Sequence, residues 1–331
     1  MTGRTPAPID RRTALAGGLA ALAAPVIAPG IARAQAWPAR PVRVVVPYSA
    51  GGGADTVGRI LFQKLASLTG GSFVIENRGG AGGTIGANAV ATAEADGYTI
   101  LFDASAHASN PTLFPRLPYD TVKAFRPVFL AAVVPNVLVV HPSVAEKTVA
   151  EIIAAAKRAP GRIDWASSGN GSAQHLALEL FKSMAGVDIT HVPYRGGGPA
   201  LNDLVAGQIK YFFSNLSSSI EHIRGGLLRA VAHTATTPVE VMPGLPAVAD
   251  TLAGYQALEW NGVFVPAGTP DTIVARLSSA LNEAISDPAI SARLTSLSVT
   301  SRPNTPDEFA AFVRAEMEKW GPIIRSANIR L

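Results

Sequence analysis

Two segments of this 331-residue chain could hold an anion with the main chain alone. Tyr48-Ser49-Ala50-Gly51-Gly52-Gly53-Ala54-Asp55 and Gly79-Gly80-Ala81-Gly82-Gly83-Thr84 each place small residues ahead of a helical period, so several N–H groups can point outward unobstructed. A helix start adds partial positive charge, and a carboxylate suits such a place as well as a phosphate. The plainer use of the first segment is a tight strand-to-helix turn capped by Asp55. Neither loop is a nucleotide fingerprint. The third glycine of G-x-G-x-x-G falls at Thr56 in one and Ile85 in the other, and no G-x-x-x-x-G-K-[ST] occurs.

A second set of polar residues lies further on. Ser167-Ser168-Gly169-Asn170-Gly171-Ser172 offers hydroxyl and amide groups, with Ser172 placed to cap the helix that follows. It also resembles a nucleophile loop, and a hydrolase built here would use Ser168 and His175; yet G-x-S-x-G is absent from the whole chain. His175 and Glu179, four apart on a helix, read either as a surface pair or as part of a site. Tyr194-Arg195 follows a strand; either residue could reach a ligand, or the Tyr could close the core while the Arg faces solvent. The histidines show no H-E-x-x-H and no pair at ligand spacing, so no metal is expected. The absence of cysteine excludes disulfides, Cys-ligated zinc, iron–sulfur clusters and thiol catalysis.

These loops must be positioned by strands and helices. From Trp37 the pattern is a short apolar run, a small-residue loop and a helical period: strand Val42–Val46, helix Asp55–Leu68, strand Phe73–Glu76, helix Thr84–Ala93, strand Thr99–Phe102. That is β-α-β-α-β, which predicts parallel strands with right-handed crossovers. A second such unit opens with strand Leu138–His141 and the capping box Thr148–Glu151. It runs through a strand at Ile163–Ala166, a helix with Leu176, Leu180, Phe181 and Met184 inward, and strand Ile189–Val192. A helix Pro199–Ala206 and strands Lys210–Phe213 and Arg229–His233 complete it. Asn261–Val265 returns as a strand, Thr269-Pro270 reads as N-cap and N1 of a helix, and Thr305-Pro-Asp-Glu308 starts the last helix. Ligands of open α/β sheets sit at the carboxyl ends of strands, and the Gly/Ser/Asn-rich loops are shared between the halves; together these place a cleft between two domains.

With 48% hydrophobic and 16% charged residues the chain has ample material for a core and is not disordered. Of the net charge of +4, the first 34 residues carry +3 through Arg4, Arg11, Arg12 and Arg33 against Asp10, leaving too little for nucleic-acid binding. Those residues read as a cleaved export signal. Arg11-Arg12, an Ala/Leu/Gly-rich stretch and Ala32-Arg33-Ala34 are followed by an expected mature start at Gln35, by the twin-arginine or the Sec route. In a bacterium the mature protein would be periplasmic.

The mature chain resembles the periplasmic solute-binding receptors of tripartite tricarboxylate transporters, often called the Bug family. The resemblance covers nearly all of it. It is carried by Trp37-Pro-Ala-Arg-Pro41, VVVPYSAGGGAD, Glu76-Asn-Arg-Gly-Gly-Ala-Gly-Gly-Thr-Ile-Gly86, Asp96-Gly-Tyr-Thr99, Pro118-Tyr-Asp120, SSGNGSAQHLALELF from Ser167, His191-Val-Pro-Tyr-Arg-Gly196, Leu245-Pro246 and Pro266-Ala-Gly-Thr-Pro270. The family usually has Pro where Gly79 stands and often Thr where Ala54 stands, so ligand identity does not carry over.

The resemblance implies a two-domain Venus-flytrap α/β fold of type II-like architecture, with a mainly parallel sheet and flanking helices in each domain. Domain one would be 37–137 plus 262–331 and domain two 138–261. A small organic acid would be held by backbone groups and ordered water in the first loop, with the second domain closing over it. The candidate ligand residues are Tyr48, Ser49, Ala50, Gly51, Gly52, Asp55, Gly82, Gly83, Thr84, Ser105, Ser167, Ser168, Asn170, Gly171, His175, Tyr194 and Asn215. No cofactor is expected. The partners would be the carboxylate and the permease subunits, with the receptor a monomer. The alternatives are a periplasmic hydrolase using Ser168 and His175, or a sensory receptor for a membrane kinase.

Overall fold

The computed structural model describes residues 2–3, 37–48, 50–194 and 196–329; the export signal expected in residues 1–34, apart from 2–3, and Ser49 and Arg195 lie outside them. The branched run Val42–Val46 forms strand β1, fully buried at Val42, Val44, Val45 and Val46. Helix α1 (Gly53–Thr69) buries Val57, Ile60, Leu61 and Leu65 along one stripe and stops at Gly70. There follow β2 (Phe73–Asn77), α2 (Thr84–Ala91), β3 (Thr99–Ala104), α3 (Ala106–Leu113), α4 (Thr121–Ala124) and β4 (Phe125–Val140). The middle of the chain supplies α5 (Val149–Arg158), β5 (Asp164–Ser167), α6 (Ala173–Ala185), β6 (Thr190–Pro193), α7 (Gly197–Val205), β7 (Tyr211–Asn215), α8 (Leu216–Arg224) and β8 (Arg229–His233). The chain closes with β9 (Leu258–Pro266), α9 (Asp271–Ser286), α10 (Pro288–Ser296) and α11 (Pro306–Ser326).

The strands run in the order β2-β1-β3-β9-β4-β7-β5-β6, with β8 on β4. Pairing is parallel among β1–β3 and among β5–β7, as the β-α-β pattern predicts, whereas β9 and β4 join them antiparallel. The sheet is therefore mixed rather than mainly parallel. β4 serves both halves: Phe125–Pro135 pair with β9, and Asn136–Val140 pair with β7 and β8. Sequence reading starts this strand at Leu138, and the part it leaves out contains Pro127 and Pro135. Proline offers no N–H to a ladder, and the register slips between Pro127 and Phe129 to absorb it.

Apolar layers cover both faces of each half. Phe62, Phe102, Phe129 and Leu281 pack on one face of the first half, Trp260, Phe264 and Phe309 on the other. Trp165, Phe181, Phe213 and Tyr255 fill one side of the second half, Phe212, Leu201 and Leu216 the other. Helix α11 belongs to both. Its Phe309 and Val313 join the first, while Trp320 and Ile324 join the cluster around Trp165. At Gly262 a Cβ would sit 2.1 Å from Phe309 Cζ, so only glycine lets α11 seat this closely on β9.

Three local expectations are corrected. Met184 is 37% exposed, its place on the buried stripe of α6 being taken by Ala185, four residues after Phe181. Thr269 is not the cap of α9; Pro270 holds that position, and the Thr269 hydroxyl donates to the Pro266 carbonyl at 2.7 Å. Asp55 does not cap α1 either, since Gly52 is the N-cap. The Thr305–Glu308 capping box is present, with Thr305 accepting from the Glu308 N–H and Glu308 from the Thr305 N–H.

Candidate functional site

A cleft of about 800 Å³ is lined from one side by Tyr48, Gly51–Ala54, Gly82, Ser105 and Asn110, and from the other by Ser168, Asn170–Gln174, Asn202, Asn215 and His222, with Glu259 at the junction. That volume suits a small molecule. On the first side, Gly51 turns the chain in the left-handed region, φ +78°, and its N–H donates to Asp55 Oδ2 at 2.9 Å. Asp55 also accepts from Arg59 and from Asn77, each at 2.9 Å. Burial alone would raise its pKa, but these bonds and the guanidinium outweigh it and hold the carboxyl below its usual range. Asp55 is thus the brace of the loop and lies outside the cleft lining. The first-turn N–H groups of α1, which no intrahelical carbonyl serves, begin where Gly52, Gly53 and Ala54 face the cleft.

Behind that loop stands a buried relay. The Tyr48 hydroxyl donates to Asp103 Oδ1 at 2.8 Å, and Asp103 Oδ2 meets His107 Nδ1 at 3.0 Å with both side chains almost wholly buried. Burial, then the Asp103 carboxylate and more weakly Glu259, push the Tyr48 phenol well above its ordinary value, so it stays a neutral donor. Gly82 lines the cleft and its carbonyl accepts from Asn110 Nδ2 at 2.9 Å. Gly83 packs behind Tyr48, and Thr84 bonds the Ala81 carbonyl at 2.9 Å; neither lines the cleft, nor does Ala50.

On the second side Ser168, Asn170 and Gly171 face the cleft, and Ser172 caps α6 by accepting from the His175 N–H at 3.2 Å. Gly171 has φ +72°, and a Cβ there would lie 2.6 Å from Leu113 Cδ1, so glycine allows this loop to close on the end of α3. Ser167 and His175 support the loop from behind. Ser167 Oγ lies 2.6 Å from His191 Nε2, the His191 and His175 rings are stacked, and His175 Nδ1 accepts from the Gly171 N–H at 3.1 Å. Burial and the neighbouring His175 lower His191 to about 4. His175 and Glu179 are buried, not a surface pair, and Lys182 closes on Glu179 at 2.8 Å. Burial would raise Glu179, but hydrogen bonds and charge from His175 and Lys182 hold it low. The Tyr194 hydroxyl donates to Asp203 at 2.8 Å; burial and that carboxylate push it up to about 12, and it is absent from the cleft lining.

Sequence reading missed the polar junction where β4 passes from β9 to β7. Gln174 Nε2 donates to Asn136 Oδ1 at 3.1 Å and to Glu259 Oε2 at 3.2 Å, and Asn215 Nδ2 donates to the same Glu259 oxygen at 2.8 Å. Asn136 is fully buried and is tied further to Thr234 and Ala257. The available signal for Glu259 was the lone charge in the mostly apolar run Leu258–Pro266. Ser168 and His175 share no hydrogen bond among the described residues, and no three His, Asp or Glu side chains among them gather as a metal site. No helix among the described residues is long and apolar enough to cross a membrane.

The family profile described as "Tripartite tricarboxylate transporter family receptor" matches residues 57–329. Protein BugT of Bordetella pertussis is 35% identical over 94% of this chain and 95% of its own. The R. palustris protein Rpa4515, solved with adipate, superposes with TM-score 0.82 at 34% identity, covering 89% of this chain and all of that one. MatC of Rhodopseudomonas palustris, solved with bound malate, gives TM-score 0.77 at 34% identity over 87% and 99%. The fold is that of the periplasmic binding proteins.

Proposed function

Because the chain belongs to the tripartite tricarboxylate transporter receptors, the Bug family, we propose that it captures a small carboxylate in this cleft, in the periplasm, and hands it to the membrane subunits of such a transporter. The observation that carries the reading is the start of the 17-residue α1, which turns small residues and first-turn N–H groups toward the cleft. Such a helix end favours a carboxylate with no need of a cationic side chain. The adipate of Rpa4515 and the malate of MatC support the ligand class.

The two halves would act as lobes, 37–137 plus 262–331 against 138–261, with crossings in β4 and β9 as the hinge. A ligand touching both lobes stabilises the closed form by the contacts it makes only there. The protein would act as a monomer, and its chemistry is binding without turnover. Native mass spectrometry of protein purified without denaturation tests this by identifying a retained ligand. Thermal shift with that ligand follows: at about 100 times its dissociation constant it should add roughly 2.7 kcal/mol. A retained ligand lacking any carboxyl group, or no shift with any organic acid, would overturn the reading.

A further inference from the structure

The cleft carries a carboxylate of its own. Glu259 Oε2 is occupied by two amide donors, Gln174 Nε2 at 3.2 Å and Asn215 Nδ2 at 2.8 Å. Both donors are locked in that orientation. Asn215 Oδ1 accepts from the Ser217 N–H at 3.0 Å, so its NH₂ must face Glu259. Gln174 Nε2 also bridges to Asn136 Oδ1, whose own Nδ2 is fixed on the Ala257 carbonyl at 3.2 Å. The amides that could have received a ligand's second carboxylate are therefore spent on Glu259. Its other oxygen, Oε1, has no hydrogen-bond partner among the described residues, and none of the described residues lining the cleft is a Lys or Arg.

A dianionic ligand would bring like charges together at this end, at a place partly shielded from water where no Lys or Arg among the described lining residues neutralises either. A group with N–H donors and positive charge would complete Glu259 instead. We infer that the ligand is an amino-carboxylate whose carboxylate sits at the start of α1 and whose ammonium group meets Glu259. The inference rests on the carboxylate-receptor reading and narrows it.

Calorimetric titration with matched pairs tests it: succinate against 4-aminobutanoate, glutarate against 5-aminopentanoate, adipate against 6-aminohexanoate. Each pair differs only in replacing one carboxylate by an aminomethyl group. The wild type should bind the amino-carboxylate of at least one pair about tenfold or more tightly than its partner, what one hydrogen bond to a charged group contributes. Glu259→Gln should erase that preference by weakening the amino-carboxylate and strengthening the dicarboxylate. The amide keeps an oxygen for Gln174 and Asn215, and an unchanged ligand-free melting temperature checks that the fold is intact. Tighter or equal binding of the dicarboxylates by the wild type, or a preference unaltered in Glu259→Gln, overturns the inference while leaving the receptor reading in place. Binding of none of the six acids overturns the inference as well, while the receptor reading is decided separately by the retained ligand and the wider organic-acid screen.

Discussion

The imidazole rings of His175 and His191 lie face to face, 3.7 Å between centroids and 9° from parallel. Two stacked rings cannot both carry a proton cheaply, and beneath the Ser167–Ser172 loop they have little water to screen them. Burial and the proximity of His175 place His191 at about 4, below the ordinary 6.5. In that interval the unfolded chain takes up a proton that the folded chain refuses, so stability is complete above about pH 6.5 and falls as pH drops toward 4. His141 and His233, also lowered by burial, act in the same direction. Melting temperatures measured across this range should fall with acidity, and His191→Gln should flatten part of the slope. An equal slope in both proteins would remove His191 as a contributor.

Gly52 and Gly51 should respond differently to a side chain. Gly52 has φ −73° and ψ 170°, extended geometry that valine adopts freely, and it lines the cleft beside the N–H groups of α1. Gly52→Val should abolish carboxylate binding in calorimetry while leaving the ligand-free melting temperature nearly unchanged. Gly51→Val, at φ +78°, should instead destabilise the fold by about 1–2 kcal/mol in urea.

Ser168 faces the cleft, while His175 Nδ1 is engaged by the Gly171 N–H. Among the described residues no base is hydrogen-bonded to that hydroxyl. Ser168→Ala should lower ligand affinity modestly, and neither wild type nor variant should hydrolyse p-nitrophenyl esters. An esterase activity lost in Ser168→Ala would restore the hydrolase alternative.

Glu316, buried at 6% exposure, receives both the Trp260 and the Trp320 indole N–H on Oε2, at 3.2 and 2.9 Å. Glu316→Leu leaves two buried donors unpaired, each costing about 1–3 kcal/mol. Urea unfolding should show a loss of about 2–6 kcal/mol in total, with Glu316→Gln intermediate because it keeps an acceptor.

Much of the frame is legible in local pattern. Val42–Val46, the α1 stripe and the Thr305–Glu308 box declare themselves through period and capping, which depend on neighbours in sequence. The first half of β4 does not, because it contains two prolines, and Pro127 is accommodated through a register slip with a distant strand. The site divides the same way. Gly51, Gly52, Ser168, Asn170 and Gly171 are visible as loop chemistry, and they line the cleft. Asp55, Ser167, His175 and Tyr194 have the right residue types but spend their polar atoms on Gly51, His191, Gly171 and Asp203. Which way a side chain turns is decided by partners up to tens of residues away. Glu259 was passed over for the opposite reason: its chemistry exists only where Gln174 and Asn215 converge on it.

Helix α11 has a consequence for the order of assembly. The first half draws its strands from residues 42–135 and then waits for β9 at Leu258–Pro266, while its Trp260 layer also needs Phe309 and Val313. The second half needs Trp320 and Ile324 from the same helix. A chain leaving the ribosome therefore holds two unfinished interiors until its last helix has emerged, and contacts of such long sequence separation make closure slow. Cutting the chain before Pro306 would open both interiors together, so bodies proposed to move separately in binding depend on one shared C-terminal element to become bodies at all.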